Sequence, residues 1–262
     1  MNGFHERLLR LNLTKKSFNV EKISEDIIRK YIGAKGLGAY YLYKELKPRI
    51  NPLSAENKII LSSGPFQSTN ISSTGRCAVV TKSPLTGIFL DSYFGGNFGH
   101  VLKLTGYDMI IIEGKFDSPG YVTVTPETIE FKDACSLWGK TTRETEDILH
   151  ESEGKKCEVL SIGPAGENLV KVASPVTSYR RVAGRGGSGA VFGSKKLKAI
   201  VIKGSNKPVY AKPNEFTKKI SDTIKKLNAD RETNPFYKYG TSGVLSYANK
   251  TDRLPTRNYQ SC

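Results

Sequence analysis

Short apolar runs separated by glycine- and proline-containing turns dominate the sequence between residues 58 and 204. Each run has four or five residues, a length that suits a β-strand and is too short for a buried helix. Turns at such frequent intervals are typical of β-sheets that pack against each other. The predicted strands cover residues 58–61, 77–81, 87–90, 109–113, 121–124, 159–162 and 199–202. We therefore expect a β-rich domain of two packed sheets.

A predicted hairpin and several helical patterns flank or interrupt this β-rich region. Residues 7–23 alternate as a β-hairpin does, and Ser24 is placed as the N-cap of a following helix. A second helical piece covers residues 39–46, after an interruption by glycines, and another helix is expected at about 141–151. These elements give an α+β fold in which a few helices accompany the sheets.

The pattern changes after Gly204. Pro213 precedes a helix whose apolar residues recur at helical spacing, whereas residues 234–262 are polar and irregular. The apolar positions of this helix are Phe216, Ile220, Ile224 and Leu227. We predict a β-rich N-terminal domain over residues 1–208 and the incomplete start of a helical second domain over residues 209–262.

The chain carries 40 Lys and Arg against 25 Asp and Glu, a formal net charge of +15. This charge is compatible with nucleic-acid binding, but the cations are interspersed with acids rather than gathered in a block. We therefore do not expect a nucleic-acid partner. The chain also lacks an apolar run of about 18 residues and an N-terminal secretory signal, so we expect a cytoplasmic protein without a membrane span.

Cysteine and histidine spacing gives no sign of a metal centre or a nucleophile. Cys77, Cys135, Cys157 and Cys262 form no C-x-x-C pair, and the three histidines are scattered. The sequence contains no G-x-S-x-G or H-E-x-x-H motif. We predict reduced thiols, no catalytic residue and no protein metal ligand in this chain.

An arginine- and glycine-rich run spans residues 180–190, Arg-Arg-Val-Ala-Gly-Arg-Gly-Gly-Ser-Gly-Ala. Glycines let a ligand approach the main chain, and exposed N–H groups in such a turn form an anion site. Guanidinium groups add planar donors that match phosphate. The run therefore predicts a site for a phosphate-bearing or other anionic ligand, with a solvent-facing turn between strands as the equal alternative.

Two further loops carry similar chemistry. Residues 73–76, Ser-Thr-Gly-Arg, and residues 91–97, with a glycine pair, could face the same ligand or form a surface turn and a bulged hairpin. Two other glycine motifs have a spacing that is wrong for nucleotide binding, so we favour other interpretations of both. Residues 33–38 indicate helix packing or a bend, and residues 189–195 are no P-loop.

Several longer motifs extend through nearly the whole chain. They are Val-Val-Thr-Lys-Ser-Pro-Leu-Thr-Gly at 79–87, Phe-Gly at 98–99, Gly-Tyr-Asp at 106–108, Glu-Gly-Lys at 113–115, Trp-Gly-Lys at 138–140, Gly-Pro-Ala-Gly-Glu-Asn-Leu at 163–169, Gly-Ser-Lys-Lys-Leu-Lys-Ala-Ile at 193–200 and Pro-Thr-Arg-Asn-Tyr at 255–259. This combination resembles the N-terminal part of the aldehyde:ferredoxin oxidoreductase family of tungsten-pterin enzymes.

The resemblance implies a β-rich base that holds tungstopterin, a bis-pterin (molybdopterin) cofactor. Its dithiolenes chelate tungsten or molybdenum, and magnesium bridges its phosphates. The residues that match the family's pterin contacts are Arg76, Gly95, Gly96, Arg181, Ala183, Gly184 and Arg185. Two departures concern the fit of a pterin: Tyr93 and Phe94 replace a small polar pair, and Phe-Gln-Ser stands at 66–68.

The resemblance also implies an activity: oxidation of aldehydes to carboxylic acids, with ferredoxin as electron acceptor. Family members are longer, and the ligands of their [4Fe–4S] cluster lie beyond residue 262. Cys262 alone cannot bind a cluster that needs four ligands. We therefore expect this chain to be the cofactor-binding portion of such an enzyme. C-terminal domains or another subunit would complete it, and it could form a homo-oligomer. The alternatives are a non-catalytic basic binding module and an inert truncated fragment.

Overall fold

The computed structural model describes residues 1–229, 231 and 234–260. The chain divides into two compact units, Met1–Ala211 and Lys212–Cys262. The first unit contains two mixed sheets, and the second is helical. This arrangement confirms the α+β prediction of two packed sheets with helices.

The first sheet has the strand order β2-β1-β6-β3-β4-β5 in the described part of the chain. Its strands are β1 (Arg7–Asn12), β2 (Ser17–Lys22), β3 (Ile59–Ser62), β4 (Cys77–Lys82), β5 (Phe89–Phe94) and β6 (Met109–Glu113). Strands β1 and β6 are parallel, and the other neighbours are antiparallel. The predicted hairpin is confirmed as β1 and β2, whose register runs from Arg7 opposite Lys22 to Asn12 opposite Ser17.

The second sheet has the order β11-β10-β9-β12-β7-β8. Its strands are β7 (Gly120–Val124), β8 (Ile129–Asp133), β9 (Glu158–Ser161), β10 (Val176–Thr177), β11 (Arg181–Val182) and β12 (Leu197–Ile202). Strands β7 and β12 are parallel. Each sheet is thus formed by one continuous half of the first unit.

Some helices of the first unit lie on the outer faces of the two sheets, and others contribute to the core between the sheets. They are α1 (Glu25–Tyr31), α2 (Ala34–Glu45), α3 (Phe98–Leu104), α4 (Thr142–Glu153), α5 (Pro164–Glu167) and α6 (Ser188–Ser194), with a 3₁₀ helix at Cys135–Leu137. Helix α4 begins with a capping box, in which Thr141 accepts the Glu144 N–H and the Glu144 carboxylate accepts the Thr141 N–H. Such a reciprocal cap satisfies donors that the helix cannot pair internally.

The main core lies between the two sheets. Apolar side chains from β1, β3, β4 and β6 meet those from β7, β9 and β12, and α3 and α6 contribute Phe98 and Phe192. A second cluster lies between the first sheet and helices α1 and α2, and a third between the second sheet and α4. Because both faces of these sheets are covered, strands such as β3 and β12 are buried at every residue.

Glycines in α2 permit close packing on the first sheet. A Cβ on Gly38 would lie 2.6 Å from Val80 Cγ2, so the helix contacts β4 only because this side chain is absent. Helix α2 begins at Ala34 and includes both Gly36 and Gly38. The expected start at residue 39 was wrong, whereas the interpretation of these glycines as packing positions agrees with the contact.

Several other elements differ from the sequence-based prediction. Helices α3, α5 and α6 and strands β8, β10 and β11 were not predicted. These elements are short or glycine-rich, and β8 is polar and lies at a sheet edge, so none has a strong periodic pattern. They form because the neighbouring strands supply hydrogen-bond partners and apolar contacts.

Lysines 103, 195 and 198 are fully buried in the first unit. Lys103 pairs with Asp108, and Lys198 pairs with Glu167. Lys195 instead donates to the carbonyl oxygens of Ala55 at 3.0 Å and Gly114 at 2.8 Å. Burial and the nearby Lys58 lower its pKa to about 7.

The second unit contains α7 (Pro213–Ala229), α8 (Pro235–Tyr239) and α9 (Leu245–Lys250), with a 3₁₀ helix at Gly240–Val244. The helix after Pro213 is confirmed, and its Ile224 and Leu227 are exposed. The prediction of irregular structure after Asn234 was wrong for α8 and α9, whose five and six residues are too short for a periodic signal. Cys262 lies outside the described residues. Within the described chain, no helix combines the length and apolarity of a membrane span.

Candidate functional site

Three loops of the first unit surround one cavity of about 520 Å³. One loop precedes β4, one follows β5, and one contains β11. The lining residues are Ser73, Gly75, Arg76, Gly95, Gly96, Arg180, Arg181 and Val182. The structure therefore brings the three loops singled out in the sequence to one place.

Glycines allow these loops to approach each other. A Cβ on Gly96 would lie 2.7 Å from Ser178 Oγ and 3.2 Å from Arg181 Cγ, and Gly96 has a φ of 89°. A Cβ on Gly75 would lie 3.6 Å from the Gly96 carbonyl oxygen. A side chain at Gly96 would be strained and would push the arginine loop away.

The rest of the arginine-glycine run lies along strand β5. Ser92 Oγ donates to the Gly184 carbonyl oxygen at 2.6 Å. Further along, Ser83 Oγ donates to the Gly186 carbonyl oxygen at 2.6 Å. The run ends in helix α6 rather than in a strand, which the expectation of a turn between strands did not include. These bonds anchor the main chain on both sides of Arg185.

The predicted site residues fall into two groups. Arg76, Gly95, Gly96 and Arg181 line the cavity together. Ala183, Gly184 and Arg185 lie outside this lining. Among these three, Ala183 is fully buried in the core between the sheets, Gly184 is half-buried, and Arg185 is exposed with a φ of 69°.

The sequence-based list omitted four lining residues: Ser73, Gly75, Arg180 and Val182. Gly75, Arg180 and Val182 are direct neighbours of predicted positions, and Ser73 lies three residues before Arg76 in the same loop. Their proximity to Arg76 and Arg181 was the available signal, but only the meeting of the loops shows which neighbours face the cavity.

Tyr93 and Phe94 do not line this cavity. Phe94 is buried between the sheets, where its ring packs 5.6 Å from that of Phe98. Tyr93 pairs with Ala78 and shares its face of the sheet, which is the face that α2 covers. Because successive residues of a strand point to opposite faces, Tyr93 and the anchored Ser92 lie on different sides of β5.

Gln67 supports the loop that carries Arg76. Its side chain is 3% exposed, and its Nε2 donates to the Thr74 carbonyl oxygen at 2.5 Å and the Arg76 carbonyl oxygen at 2.8 Å. Both side-chain hydrogens are thereby used on the loop's main chain. The departure from the family pattern at residues 66–68 thus includes a buried amide that fixes the position of Arg76.

The cavity is electropositive. Within the described part of the chain, the side chains of Arg76, Arg180 and Arg181 form no ion pair within 4 Å. Guanidinium groups that are not neutralised by carboxylates can donate to phosphate oxygens in a bidentate manner. The arrangement can therefore bind an anion, and phosphate is the chemical group that it suits best.

The described residues that line this cavity include no cysteine or histidine. Burial raises the pKa of Cys77 to about 12 and that of Cys157 to about 11, so both remain protonated thiols near neutral pH. Among the described residues, no group of three or more His, Cys, Asp or Glu side chains is arranged to hold a metal ion.

Comparison with known proteins identifies related chains. Residues 8–204 match the family described as "Aldehyde ferredoxin oxidoreductase, N-terminal domain". Tungsten-containing aldehyde ferredoxin oxidoreductases from Pyrococcus horikoshii and Pyrococcus furiosus are 43% and 42% identical over the whole chain. The WOR-like subunit of an aliphatic sulfonate oxidoreductase from Pyrococcus furiosus is 33% identical over 99% of the chain.

A solved structure has the same fold. It is the "Active site complex BamBC of Benzoyl Coenzyme A reductase in complex with 1,5 Dienoyl-CoA", which superimposes with a TM-score of 0.85 at 34% identity. The match covers 90% of this chain and 36% of that one.

The chain spans less than half of these relatives: 43% of the Pyrococcus horikoshii protein and 44% of each Pyrococcus furiosus protein. The family match nevertheless covers most of the first unit, including all three loops around the cavity. The chain therefore belongs to the aldehyde ferredoxin oxidoreductase family, in the region of its N-terminal domain.

Proposed function

We propose that this chain is the cofactor-binding portion of a tungsten or molybdenum bis-pterin oxidoreductase. The observation that carries the proposal is the cavity at which Arg76, Arg180 and Arg181 meet Gly95 and Gly96. The relatives named as tungsten-containing support the choice of metal. In this proposal the tungstopterin-binding domain covers residues 1–208 and the helical domain begins at residue 209, close to the division between the compact units after Ala211.

The residues present fit the polar edges and phosphates of such a cofactor. The cavity of about 520 Å³ lies within the usual size of small-molecule sites, about 300–1,000 Å³. Its unpaired guanidinium groups are phosphate donors. A Cβ on Gly184 would meet no atom within 4 Å, so its main chain is open to a ligand. These features support phosphate binding without assigning a position to the metal.

In this proposal the chain's own residues bind the cofactor and orient it. Arg76 and Arg181 would hold the phosphates and any magnesium bound with them, and Gly95 and Gly96 would let the ligand contact the main chain. Ala183, Gly184 and Arg185 contribute the backbone on the β5 side. When bound, the cofactor supplies the redox chemistry that converts an aldehyde to a carboxylic acid.

The remaining parts of the reaction lie outside this chain. In this proposal the ligands of a [4Fe–4S] cluster, which would supply electron transfer to ferredoxin, belong to C-terminal domains or to a complementing subunit. The names of the relatives support ferredoxin as the acceptor, and their greater length supports further domains. The chain alone is then a binding portion that is inactive without them.

Titration of the 262-residue chain with pyrophosphate by calorimetry tests the anion site. We expect saturable binding that falls about tenfold in affinity in Arg76→Ala and in Arg181→Ala, because each loses charge-assisted hydrogen bonds. Arg29→Ala is the matched control, since Arg29 pairs with Glu25 on the exposed side of α1. Equal affinities in all four proteins would contradict the assignment of this cavity.

A further inference from the structure

We infer that Glu146 is a positioning residue for the arginine loop of the cavity: a buried carboxylate of α4 fixes the main-chain turn from which Arg180 and Arg181 project. The inference rests on the proposed anion site and names a residue outside its lining.

The turn before the two arginines is strained. Ser178 has a φ of 47° and Tyr179 a φ of 61°, although neither is a glycine. A left-handed conformation is unfavourable for residues that carry a Cβ, so two in succession persist only when their surroundings hold them. The Arg180 N–H donates to the Ser178 carbonyl oxygen at 2.8 Å, and the turn thus passes directly into the arginines.

Three carboxylates hold this turn. Glu146 Oε2 accepts the Tyr179 N–H at 2.8 Å. Asp147 Oδ1 accepts from the Tyr179 hydroxyl at 2.8 Å, and Glu158 Oε2 accepts from Ser178 Oγ at 3.1 Å. Glu146 is 1% exposed, whereas Asp147 is exposed. Only the Glu146 bond joins a buried carboxylate to the main chain, so it has the greatest effect on the path of the backbone.

The position of this turn sets the distance between two walls of the cavity. A Cβ on Gly96 would lie 2.7 Å from Ser178 Oγ and 3.2 Å from Arg181 Cγ. A shift of Ser178 and Tyr179 would therefore move Arg181 relative to Gly95 and Gly96. Charge-assisted hydrogen bonds to phosphate depend on distance and angle, so the anion affinity depends on the Glu146 bond.

His150 and Glu158 are further charged or polar groups that act on Glu146, and Glu158 adds to the rise of its pKa. His150 Nε2 lies 3.6 Å from Glu146 Oε1, on the carboxylate oxygen that does not accept from Tyr179. Burial raises the pKa of Glu146, and the Tyr179 N–H and His150 oppose this effect. The Tyr179 N–H requires only an acceptor oxygen at the place of Glu146 Oε2, so a neutral acceptor of the same length can replace the carboxylate, whereas a carboxylate shorter by one methylene group is drawn back from the turn.

The test compares pyrophosphate affinity in variants of the 262-residue chain. Glu146→Asp keeps the charge and withdraws the acceptor by one methylene group, and we expect an affinity about tenfold lower. Glu146→Gln keeps a carbonyl acceptor at full length, and we expect wild-type affinity. Glu151→Gln, at an exposed position of the same helix, is the charge control and should also bind as the wild type does.

Hydrogen exchange of the segment 176–182 provides the local readout. We expect faster exchange there in Glu146→Asp, with unchanged exchange in β12, and wild-type exchange in Glu146→Gln. A general loss of folding would instead accelerate exchange throughout, and in that case the Gln variant decides: tenfold weaker binding by a folded Glu146→Gln protein would overturn the role.

The outcomes separate this inference from the proposed site. If Arg181→Ala loses affinity and a folded Glu146→Asp protein does not, Glu146 is not a positioning residue and the anion site stands. If the wild type does not bind pyrophosphate, the anion site and the role of Glu146 are both wrong. Loss in Arg181→Ala and Glu146→Asp, with retention in Glu146→Gln and Glu151→Gln, supports the inference.

Discussion

Replacing Lys195 with methionine should remove a specific part of the pH dependence of stability. The ammonium group of Lys195 is fully buried and bonded to two carbonyl oxygens. Burial and Lys58 lower its pKa from 10.5 to about 7, and Glu113 only partly opposes this effect. The folded protein therefore releases this proton at a lower pH than the unfolded chain does.

The direction in which the free energy of unfolding changes with pH follows from the number of protons that each state binds. Between about pH 7 and 10.5 the unfolded chain binds more protons at Lys195 than the folded protein does, so the free energy of unfolding rises with pH. Each pKa unit corresponds to about 1.4 kcal/mol, and a pKa of about 7 gives a rise of about 3 kcal/mol from pH 7 to 9.5. Below pH 7 both states bind the proton, and this contribution no longer changes.

Urea unfolding followed by circular dichroism at pH 6, 7, 8, 9 and 9.5 measures the effect. Lys195→Met also leaves the Ala55 and Gly114 carbonyl oxygens without this donor, at a cost of about 1–3 kcal/mol each at every pH. The difference between wild type and variant should therefore grow with pH by about 3 kcal/mol. Lys196→Met changes the exposed neighbour and should follow the wild-type curve. Parallel curves for wild type and Lys195→Met would refute the reasoning.

Three further substitutions test packing, capping and loop support. Gly38→Ala should lower the free energy of unfolding by about 1–2 kcal/mol in urea, because its Cβ would lie 2.6 Å from Val80 Cγ2. Thr141→Ala should lower it by about 1 kcal/mol, because the capping box of α4 is lost; an unchanged midpoint would contradict this. Gln67→Leu should weaken pyrophosphate binding about tenfold in calorimetry, because the Arg76 loop loses the two hydrogen bonds that Gln67 Nε2 donates to it. Wild-type affinity would show that the loop keeps its conformation without these bonds.

Strands and helices with a strong local pattern could be predicted from the sequence. The alternation of residues 7–23 gave the β1–β2 hairpin, and the apolar run at 109–113 gave β6 with its observed bounds. Elements that depend on tertiary contacts could not be predicted. Helix α2 includes Gly38, which packs so closely on Val80 that a Cβ would not fit, and β11 is a two-residue strand paired with β10.

The site was predictable as a set of loops and not as a cavity. Glycine and arginine content identified the three segments, since the main-chain freedom and the donor groups are properties of the residues themselves. Which neighbours face the ligand depends on distant contacts, and Arg180 was therefore omitted. The residues that support the loops could not be predicted from the sequence either. Gln67 and Glu146 form their hydrogen bonds with the loops only in the folded chain.

The pterin and tungsten contents of the purified protein test the central claim most directly. The protein is isolated from cells supplied with tungstate, and both quantities are measured per polypeptide in the wild type, in Arg76→Ala/Arg181→Ala and in Arg29→Ala. We predict that pterin and tungsten accompany the wild type and Arg29→Ala and are lost from the double variant, which keeps its fold. Equal pterin and tungsten in the double variant, or none in the wild type, would contradict the assignment of this cavity as the cofactor site.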